Sequence, residues 1–269
     1  MPGFIGMKAE CGSFVVDGVH VEYQKHRDSA ENKGPLLFLH GGCHGSWSWE
    51  NFLPFFAERG WDCYAPNWYN HYKSDKVIPP ERFLDRSIAD VTEEIGKTVA
   101  QVDRMPILIG HSMGGLAVQK FAERSSVRGL ALIAPVVPAE VGGAAIELPI
   151  DQKQTWGPPP VDIARELFFQ GSKEEDARRF YSLLCPESPR AVHEATRWTV
   201  HVDRKNIAKV PVIAFGAEID RLVPHELVKN LAEHYSADYV FVPGKGHNLL
   251  LEPGWRDTAS KLESWISSI

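Results

Sequence analysis

Short apolar runs alternate with amphipathic helical patterns along most of this chain. The runs that predict strands cover residues 36–39, 63–65, 105–109, 130–137, 210–215 and 239–242. Apolar residues at helical spacing predict helices over residues 49–59, 83–102, 116–124, 224–234 and 255–266. Strands that alternate with helices in this way form a mostly parallel sheet, and the helices cover both of its faces.

Two segments depart from this alternation. Near the start, residues 13–16 and 20–24 flank Asp17-Gly18, a dipeptide typical of a two-residue hairpin turn. This antiparallel hairpin brings the predicted sheet to eight strands. Residues 138–209 carry no strand signal and instead contain aromatic-rich helical segments interrupted by Trp156-Gly157-Pro158-Pro159-Pro160. We therefore predict a core of residues 1–137 and 210–269, with an inserted helical lid, or cap, at residues 138–209.

Composition, charge and cysteine content limit the classes of protein to which this chain can belong. A chain of 269 residues that is 43% hydrophobic and 24% charged is expected to be a soluble globular protein, with one substantial domain or a domain that carries an insertion. The formal net charge of −6 disfavours nucleic acid as a partner. No apolar stretch reaches membrane-spanning length, and residues 1–10 do not resemble a signal peptide, so a cytoplasmic location is expected. The four cysteines, Cys11, Cys43, Cys63 and Cys185, are too scattered to predict disulfides or a metal site.

The sequence Gly110-His111-Ser112-Met113-Gly114-Gly115 lies between a predicted strand and a predicted helix. A G-x-S-x-G pentapeptide requires that context, because the serine must occupy a sharp, strained turn that exposes its hydroxyl. Glycines two positions before and after the serine allow neighbouring backbone to pass close to the turn. Ser112 is therefore the candidate nucleophile.

A nucleophilic serine needs a general base and an acid that orients the base. Among the 11 histidines, His247 follows the last predicted strand in a glycine-flanked loop and is the candidate base. Asp220 follows the strand at residues 210–215 and precedes His247, which fits the chain order Ser-Asp-His. Asp220 could instead cap the helix near Pro224, and Glu218 is the alternative acid.

Attack on a carbonyl also requires donors for the oxyanion that forms. One is the N–H of Met113, which follows the nucleophile at the start of a helix. The second is expected from Gly42, in the glycine-rich loop His40-Gly41-Gly42-Cys43-His44 that follows a strand, although a plain strand-to-helix turn is the alternative.

Substrate contacts are predicted in this loop and in the lid. The lid aromatics can line a pocket or form the core of the lid, and core packing is the expected role for most of them. The residues assigned to the substrate are Gly41, Cys43, Trp156, Phe169 and Tyr181.

Together these motifs resemble the α/β-hydrolase superfamily over residues 20–269. The sequence HGGCHGSWSW at residues 40–49 is similar to the branch of plant methylesterases and hydroxynitrile lyases, whose pattern many bacterial esterases share. The resemblance implies the α/β-hydrolase fold and places the oxyanion donors at Gly42 and Met113. Hydroxynitrile lyases of this branch have threonine and lysine where this chain has Gly41 and Asn248, which disfavours lyase activity.

One further segment departs from the superfamily pattern. The fourth strand is often followed there by a D-x-P-G-H-G-x-S loop, whereas residues 67–74 of this chain read NWYNHYKS. The aromatic side chains of this segment can line the pocket or pack against the core.

These observations predict a serine hydrolase without metal or organic cofactor. It would cleave a carboxylic ester, thioester or lactone of a small apolar or aromatic molecule through an acyl-enzyme intermediate. Dehalogenases and epoxide hydrolases of the superfamily use an aspartate nucleophile, so Ser112 argues against both. One alternative is a ligand-binding receptor or sensor on a hydrolase scaffold, in which a member of the triad would be expected to be replaced. The other is a hydroxynitrile lyase.

Overall fold

A computed structural model describes residues 9–26 and 32–269 and places eight strands in one sheet. The strands are β1 (Ala9–Val16), β2 (Val19–His26), β3 (Gly34–Leu39), β4 (Trp61–Pro66), β5 (Ile107–His111), β6 (Gly129–Ile133), β7 (Val212–Ala217) and β8 (Asp238–Val242). Their order in the sheet is β1-β2-β4-β3-β5-β6-β7-β8. The β1–β2 and β2–β4 pairs are antiparallel and the others are parallel. The predicted sheet and its initial hairpin are therefore confirmed.

Helices pack on both faces of this sheet. They are α1 (Phe52–Ala57), α2 (Thr92–Val99), α3 (Met113–Ala122), α4 (Val161–Phe168), α5 (Glu174–Tyr181), α6 (Pro189–Arg197), α7 (Arg204–Ile207), α8 (His225–Tyr235) and α9 (Trp255–Ile266). Strand β3 shows why two layers form, because successive side chains of a strand point to opposite faces. Leu37 and Leu39 pack in one apolar cluster with α2, α3 and α8. Leu36 and Phe38 pack in a second cluster with α1 and α9.

The single helix predicted over residues 83–102 is wrong. Ser87 interrupts it with a capping box, in which the Ser87 hydroxyl accepts the N–H of Ala89 and the Asp90 carboxylate accepts the N–H of Ser87. Such side-chain bonds to the backbone start a new helix rather than continue the old one. The segment therefore begins at the last residue of one short 3-10 helix (Pro80–Phe83) and continues with a second (Ile88–Val91), followed by α2.

Two other predicted elements are too long. The strand predicted at residues 130–137 ends as β6, because Ala134 adopts a positive φ of 43° and Pro135 has no N–H to donate. The helix predicted at residues 49–59 is a 3-10 turn followed by α1, and Pro54 cannot donate the bond that would join the two. Local backbone chemistry overrides apolar periodicity at both places.

Helices α4 to α7 lie in the predicted lid, at residues 138–209. One isolated antiparallel bridge joins Trp156 to Glu187 within it. The apolar side chains of the segment divide between the two clusters of the core. The division of the chain into a core and a cap stays a prediction. Within residues 9–26 and 32–269, no helix combines the length and the apolar character needed to cross a bilayer.

Candidate active site

Ser112 occupies the turn between β5 and α3 in a strained conformation. Its φ is 55° and its ψ is −123°, values that side-chain-bearing residues rarely adopt. A Cβ atom added to Gly110 would lie 2.4 Å from the Gly114 carbonyl oxygen, and one added to Gly114 would lie 2.3 Å from the His40 carbonyl oxygen. Only glycine fits at either position. The sharp turn expected of the G-x-S-x-G sequence is present.

Ser112, His247 and Asp220 form one buried chain of hydrogen bonds. His247 Nε2 lies 2.9 Å from Ser112 Oγ, and His247 Nδ1 lies 2.8 Å from Asp220 Oδ2. Because a carboxylate only accepts, Nδ1 carries the proton and Nε2 is left as an acceptor for the serine hydroxyl. This arrangement can draw the proton from Ser112 as its oxygen attacks a carbonyl carbon.

The hydrogen bonds of Asp220 and Glu218 show which of the two candidate acids contacts the imidazole. The second oxygen of Asp220 accepts the N–H groups of Leu222 and Val223 at 2.8 and 3.0 Å, so the carboxylate is held in place. Glu218 instead accepts the N–H of Gly244 at 2.6 Å, at the start of the loop that carries His247. The structure thus brings Asp220, and not Glu218, to the imidazole ring.

Two neutral histidines hold the backbone of the glycine-rich loop beside Ser112. His40 Nδ1 donates to the Gly41 carbonyl at 2.8 Å, while its Nε2 accepts the N–H of Trp68. His44 Nδ1 donates to the Gly42 carbonyl at 2.7 Å, while its Nε2 accepts from the Asn248 amide. Both rings can satisfy these bonds only in the neutral, Nδ1-protonated form. Each ring therefore links a carbonyl of the loop to a residue outside the loop, Trp68 or Asn248.

The predicted oxyanion donors, Gly42 and Met113, lie together at this point. A Cβ on Gly42 would be 2.6 Å from Met113 Sδ, and one on Gly41 would be 2.9 Å from Ser112 Cβ. In the part of the chain that the structure describes, the N–H groups of Gly42 and Met113 have no hydrogen-bond acceptor. The N–H of Cys43 is already used, since it donates to Glu187. Two free donors therefore remain close to Ser112.

Burial keeps the supporting histidines neutral. It lowers the pKa of His44 to about 4, even though the bond to the Gly42 carbonyl raises that pKa. Burial also lowers the pKa values of His40 and His111 well below the ordinary range. His111 Nε2 lies 2.9 Å from the carbonyl oxygen of His247, so this ring helps to hold the loop of the candidate base.

The depressed pKa of His44 predicts a loss of stability in acid. Between about pH 6.5 and pH 4 the unfolded chain binds a proton at His44 that the folded chain does not, so stability falls as the pH falls through this window. In His44→Gln, the slope of unfolding free energy against pH should be shallower by up to about 1.4 kcal/mol per pH unit. Urea unfolding between pH 4.5 and pH 6.5 measures both slopes, and equal slopes would contradict the assignment.

A small apolar cavity of about 50 Å³ adjoins these groups. Its lining consists of Gly42, Cys43, Ser112, Met113, Val136, Ile146, Leu148, Trp156, Phe168, Val192, Ala195, Thr196, Leu222 and Val223. None of these side chains carries a charge, and the Thr196 hydroxyl is bonded to its own helix. A larger, open groove of about 840 Å³ shares Leu148 and Trp156 with the cavity, so these two residues stand between the two spaces.

Some of the predicted substrate contacts lie in this lining and others do not. Cys43 and Trp156 are present, and Gly41 abuts Ser112 from beside the lining. Phe169 and Tyr181 lie outside it. Phe169 follows the last residue of α4 and packs against Phe180 in the core, and Tyr181 packs against the same apolar cluster.

Phe168 and Glu187 are two of the site residues that the sequence analysis did not assign. Phe168, the last residue of α4, lines the cavity instead of its neighbour, and sequence alone does not decide which member of a Phe-Phe pair faces inward. Glu187 lies in the segment predicted as a lid and accepts the N–H of Cys43 in the glycine-rich loop, 144 positions away in the chain. No local motif marks such a contact.

Comparison with known proteins adds three findings. A sequence model described as the alpha/beta hydrolase family matches residues 36–259. The polyneuridine aldehyde esterase of Rauvolfia serpentina is 28% identical over 106 residues, covering 37% of this chain and 38% of the esterase. Methylesterase 1 of Arabidopsis thaliana is 29% identical over 111 residues, covering 36% and 38% of the two chains. The match therefore spans well under half the length of either relative.

Structural similarity extends over nearly the whole chain. The structure of a thermophilic esterase matches with a TM-score of 0.71 at 20% identity, covering 97% of this chain and 98% of the other. At this identity the match shows a shared fold. These similarities confirm the resemblance predicted from the motifs.

Proposed function

This chain belongs to the α/β-hydrolase family, and we propose that it is a serine hydrolase that cleaves a carboxylic ester, or a related thioester or lactone, through an acyl-enzyme intermediate. The observation that carries the proposal is the hydrogen-bonded chain from Ser112 through His247 to Asp220. It lies beside two free N–H donors at the edge of an apolar cavity. A cytoplasmic location, expected from the sequence, is part of the same proposal.

In the proposed mechanism His247 takes the proton of Ser112 as the serine oxygen bonds to the carbonyl carbon. Asp220 stabilises the imidazolium that results. The N–H groups of Gly42 and Met113 hold the oxyanion, and the proton on His247 leaves with the alcohol. Water then attacks the acyl group by the same path in reverse and frees Ser112. No step calls for a metal or an organic cofactor.

The cavity supports an uncharged substrate with a short apolar group beside the ester. A carboxylate or ammonium placed in this lining would lose its hydration without gaining a partner. The other half of the ester would occupy the open groove beyond Leu148 and Trp156, where polar side chains and solvent are available. We therefore propose a small-molecule ester that is apolar or aromatic on its buried side.

Hydrolysis of a matched set of p-nitrophenyl esters tests this function. Acetate and butyrate esters should turn over, and a succinate ester, which carries a charge on the buried side, should react at least about 10-fold more slowly in kcat/KM. Thioesters of the same acyl groups and a small lactone such as γ-butyrolactone extend the set. Tight binding without turnover across the whole set would contradict the proposal and favour a receptor.

Substitution of the lid aromatics that line the cavity should change substrate selectivity, whereas substitution of a neighbouring aromatic that packs in the core should change stability. Phe168→Ala and Trp156→Ala open the cavity, so the ratio of kcat/KM between large and small esters should change by about 10- to 200-fold. Phe169→Ala is the matched control, because its buried ring packs in the core. That variant should lose about 3 to 5 kcal/mol of unfolding free energy and keep its selectivity. The cavity assignment fails if Phe169→Ala alone alters the ratio.

A further inference from the structure

Glu187 holds the backbone of the oxyanion site from the lid. We propose that Glu187, paired with His71, is a positioning residue that orients the Gly42–Cys43 peptide beside the oxyanion donor. This inference rests on the proposed function, because it assumes that Gly42 N–H stabilises an oxyanion. The contacts that carry it are independent of any substrate.

The carboxylate of Glu187 makes three hydrogen bonds and is almost completely buried. Its Oε2 accepts two hydrogen bonds, from the N–H of Cys43 at 3.2 Å and from the Nε2–H of His71 at 2.9 Å. Its Oε1 accepts the N–H of Ser188 at 2.7 Å. Glu187 is 2% exposed, so each of these bonds acts in a medium of low dielectric constant. The side chain is therefore fixed, and it fixes Cys43 in turn.

His71 carries a positive charge in this pair. Its Nε2 faces Glu187, and its Nδ1 lies 3.0 Å from the Tyr69 carbonyl oxygen. Both neighbours are acceptors, so only the doubly protonated ring satisfies them. Burial opposes both shifts, but Glu187 and, after it, Cys185 raise the pKa of His71 well above its ordinary value, and His71 lowers the pKa of Glu187. His71 belongs to the segment at residues 67–74 that departs from the superfamily pattern.

The charge of His71 matters because Glu187 lies so near the oxyanion site. Glu187 Oε2 would be 3.3 Å from a Cβ atom on Gly42. An unbalanced carboxylate so close to Gly42 would oppose the negative charge that develops on the substrate oxygen. The imidazolium cancels this field, so Glu187 can hold the loop without weakening the stabilisation of the oxyanion.

The peptide unit between Gly42 and Cys43 is held at both ends. Its carbonyl oxygen accepts from His44, and its N–H donates to Glu187. Glycine restricts its own backbone less than any other residue, so local sterics do not orient the Gly41-Gly42 sequence. The two side-chain bonds supply that restriction. The Gly42 N–H belongs to the preceding peptide, whose Gly41 carbonyl accepts from His40, so loss of the Glu187 bond acts on this donor through the Gly42 Cα that the two peptides share.

The same part of the lid also positions the cavity wall. The N–H of Cys185 donates to the Cys43 carbonyl at 2.9 Å. Glu187 and Trp156 exchange two backbone hydrogen bonds, of 2.8 and 2.9 Å. Glu187 therefore ties the lid to the oxyanion loop at the place where the lid also presents Trp156 to the substrate.

Glu187→Gln, with Glu194→Gln as the matched control, tests the proposal. A neutral amide has one accepting oxygen, so it gives up either the bonds to Cys43 and His71 or the bond to Ser188, and the bonds that remain lose the strength that the carboxylate charge gave them. With p-nitrophenyl butyrate we expect kcat to fall by about 10- to 100-fold while KM changes by less than about 3-fold, because the lost interaction acts in the transition state. Glu194 is also a buried lid glutamate, bonded to Ser87 and Ile88 but not to the loop, and its variant should keep kcat within about 3-fold.

A double variant distinguishes positioning from general destabilisation. In Glu187→Gln alone the charged ring of His71 loses its counter-charge, whereas in His71→Gln combined with Glu187→Gln both partners are neutral and the amide at position 71 can donate to the amide oxygen that faces Cys43. We expect kcat to recover by at least about 3-fold relative to Glu187→Gln alone. Should Glu187→Gln not fold, His71→Gln alone should show the same loss of kcat, because the carboxylate is then left without its counter-charge. Unchanged kcat in that variant would overturn the proposal.

Amide hydrogen exchange separates this inference from the proposed function. The Cys43 amide should exchange at least about 10-fold faster in Glu187→Gln than in wild type, and at the wild-type rate in Glu194→Gln. If wild type hydrolyses no ester, the proposed function fails, while the exchange rates still decide whether Glu187 holds the loop. Equal exchange in the two variants, or equal kcat values, would overturn the positioning role.

Discussion

Replacing Ser112 with alanine is expected to lower ester hydrolysis by about 10⁴-fold or more and to leave a folded protein. The serine hydroxyl is the atom that would form the acyl-enzyme, and its hydrogen-bond partner is His247. Alanine keeps the small side chain that the strained turn accommodates. Steady-state kinetics with p-nitrophenyl acetate measure the loss, and the melting temperature reports whether the fold is retained.

Ser172→Ala is the matched control for this prediction. Ser172 is as buried as Ser112, and its hydroxyl has no partner among the described residues. Its removal should therefore leave turnover within about 3-fold of wild type. Near-normal turnover in Ser112→Ala would show that another group is the nucleophile, and the acyl-enzyme mechanism proposed above would have to be abandoned.

Replacing Asp220 with asparagine is expected to lower kcat by about 10³- to 10⁴-fold. The oxygen that accepts from Leu222 and Val223 must remain an oxygen, so the new amide nitrogen will face His247 Nδ1. The imidazole then carries its proton on Nε2 and cannot accept the proton of Ser112. Because the geometry is preserved, the change should appear in kcat rather than in stability.

Glu218→Gln discriminates between the two candidate acids. The Glu218 carboxylate bonds to Gly244, and among the described residues no hydrogen bond joins it to the imidazole, so its loss should reduce kcat by less than about 10-fold. Kinetics of the two variants at one pH, with circular dichroism to verify folding, provide the comparison. A larger loss in Glu218→Gln than in Asp220→Asn would show that the assigned acid is wrong.

The sequence alone predicted the sheet and the turn at Ser112 because both depend on local information. Each buried strand needs a continuous apolar run, and the helices need a repeat near 3.6 residues. The strained turn needs Gly110 and Gly114, since any side chain there would collide with backbone. The Asp17-Gly18 hairpin is equally local, and it too is present in the structure. These features leave a mark within a few residues of where they act.

Element ends were less predictable, because they depend on single side chains. Ser87 divides a helix that apolar periodicity alone would continue to residue 102. Such a capping serine competes with the helix for the same backbone N–H groups. Apolar spacing does not register this competition, so the predicted helix was too long.

Tertiary structure decided the contacts between distant segments. Asp220 and Glu218 both follow β7, and the fold of the His247 loop determined which carboxylate contacts the ring. Likewise, the packing of α4 on the core sends Phe168 into the cavity and Phe169 into the interior. Glu187 contacts Cys43 from 144 positions away, and no motif marks it in the segment predicted as a lid. Apolar periodicity specifies that a side chain is buried, but its partner depends on how complete elements pack, and that information is spread over the whole sequence.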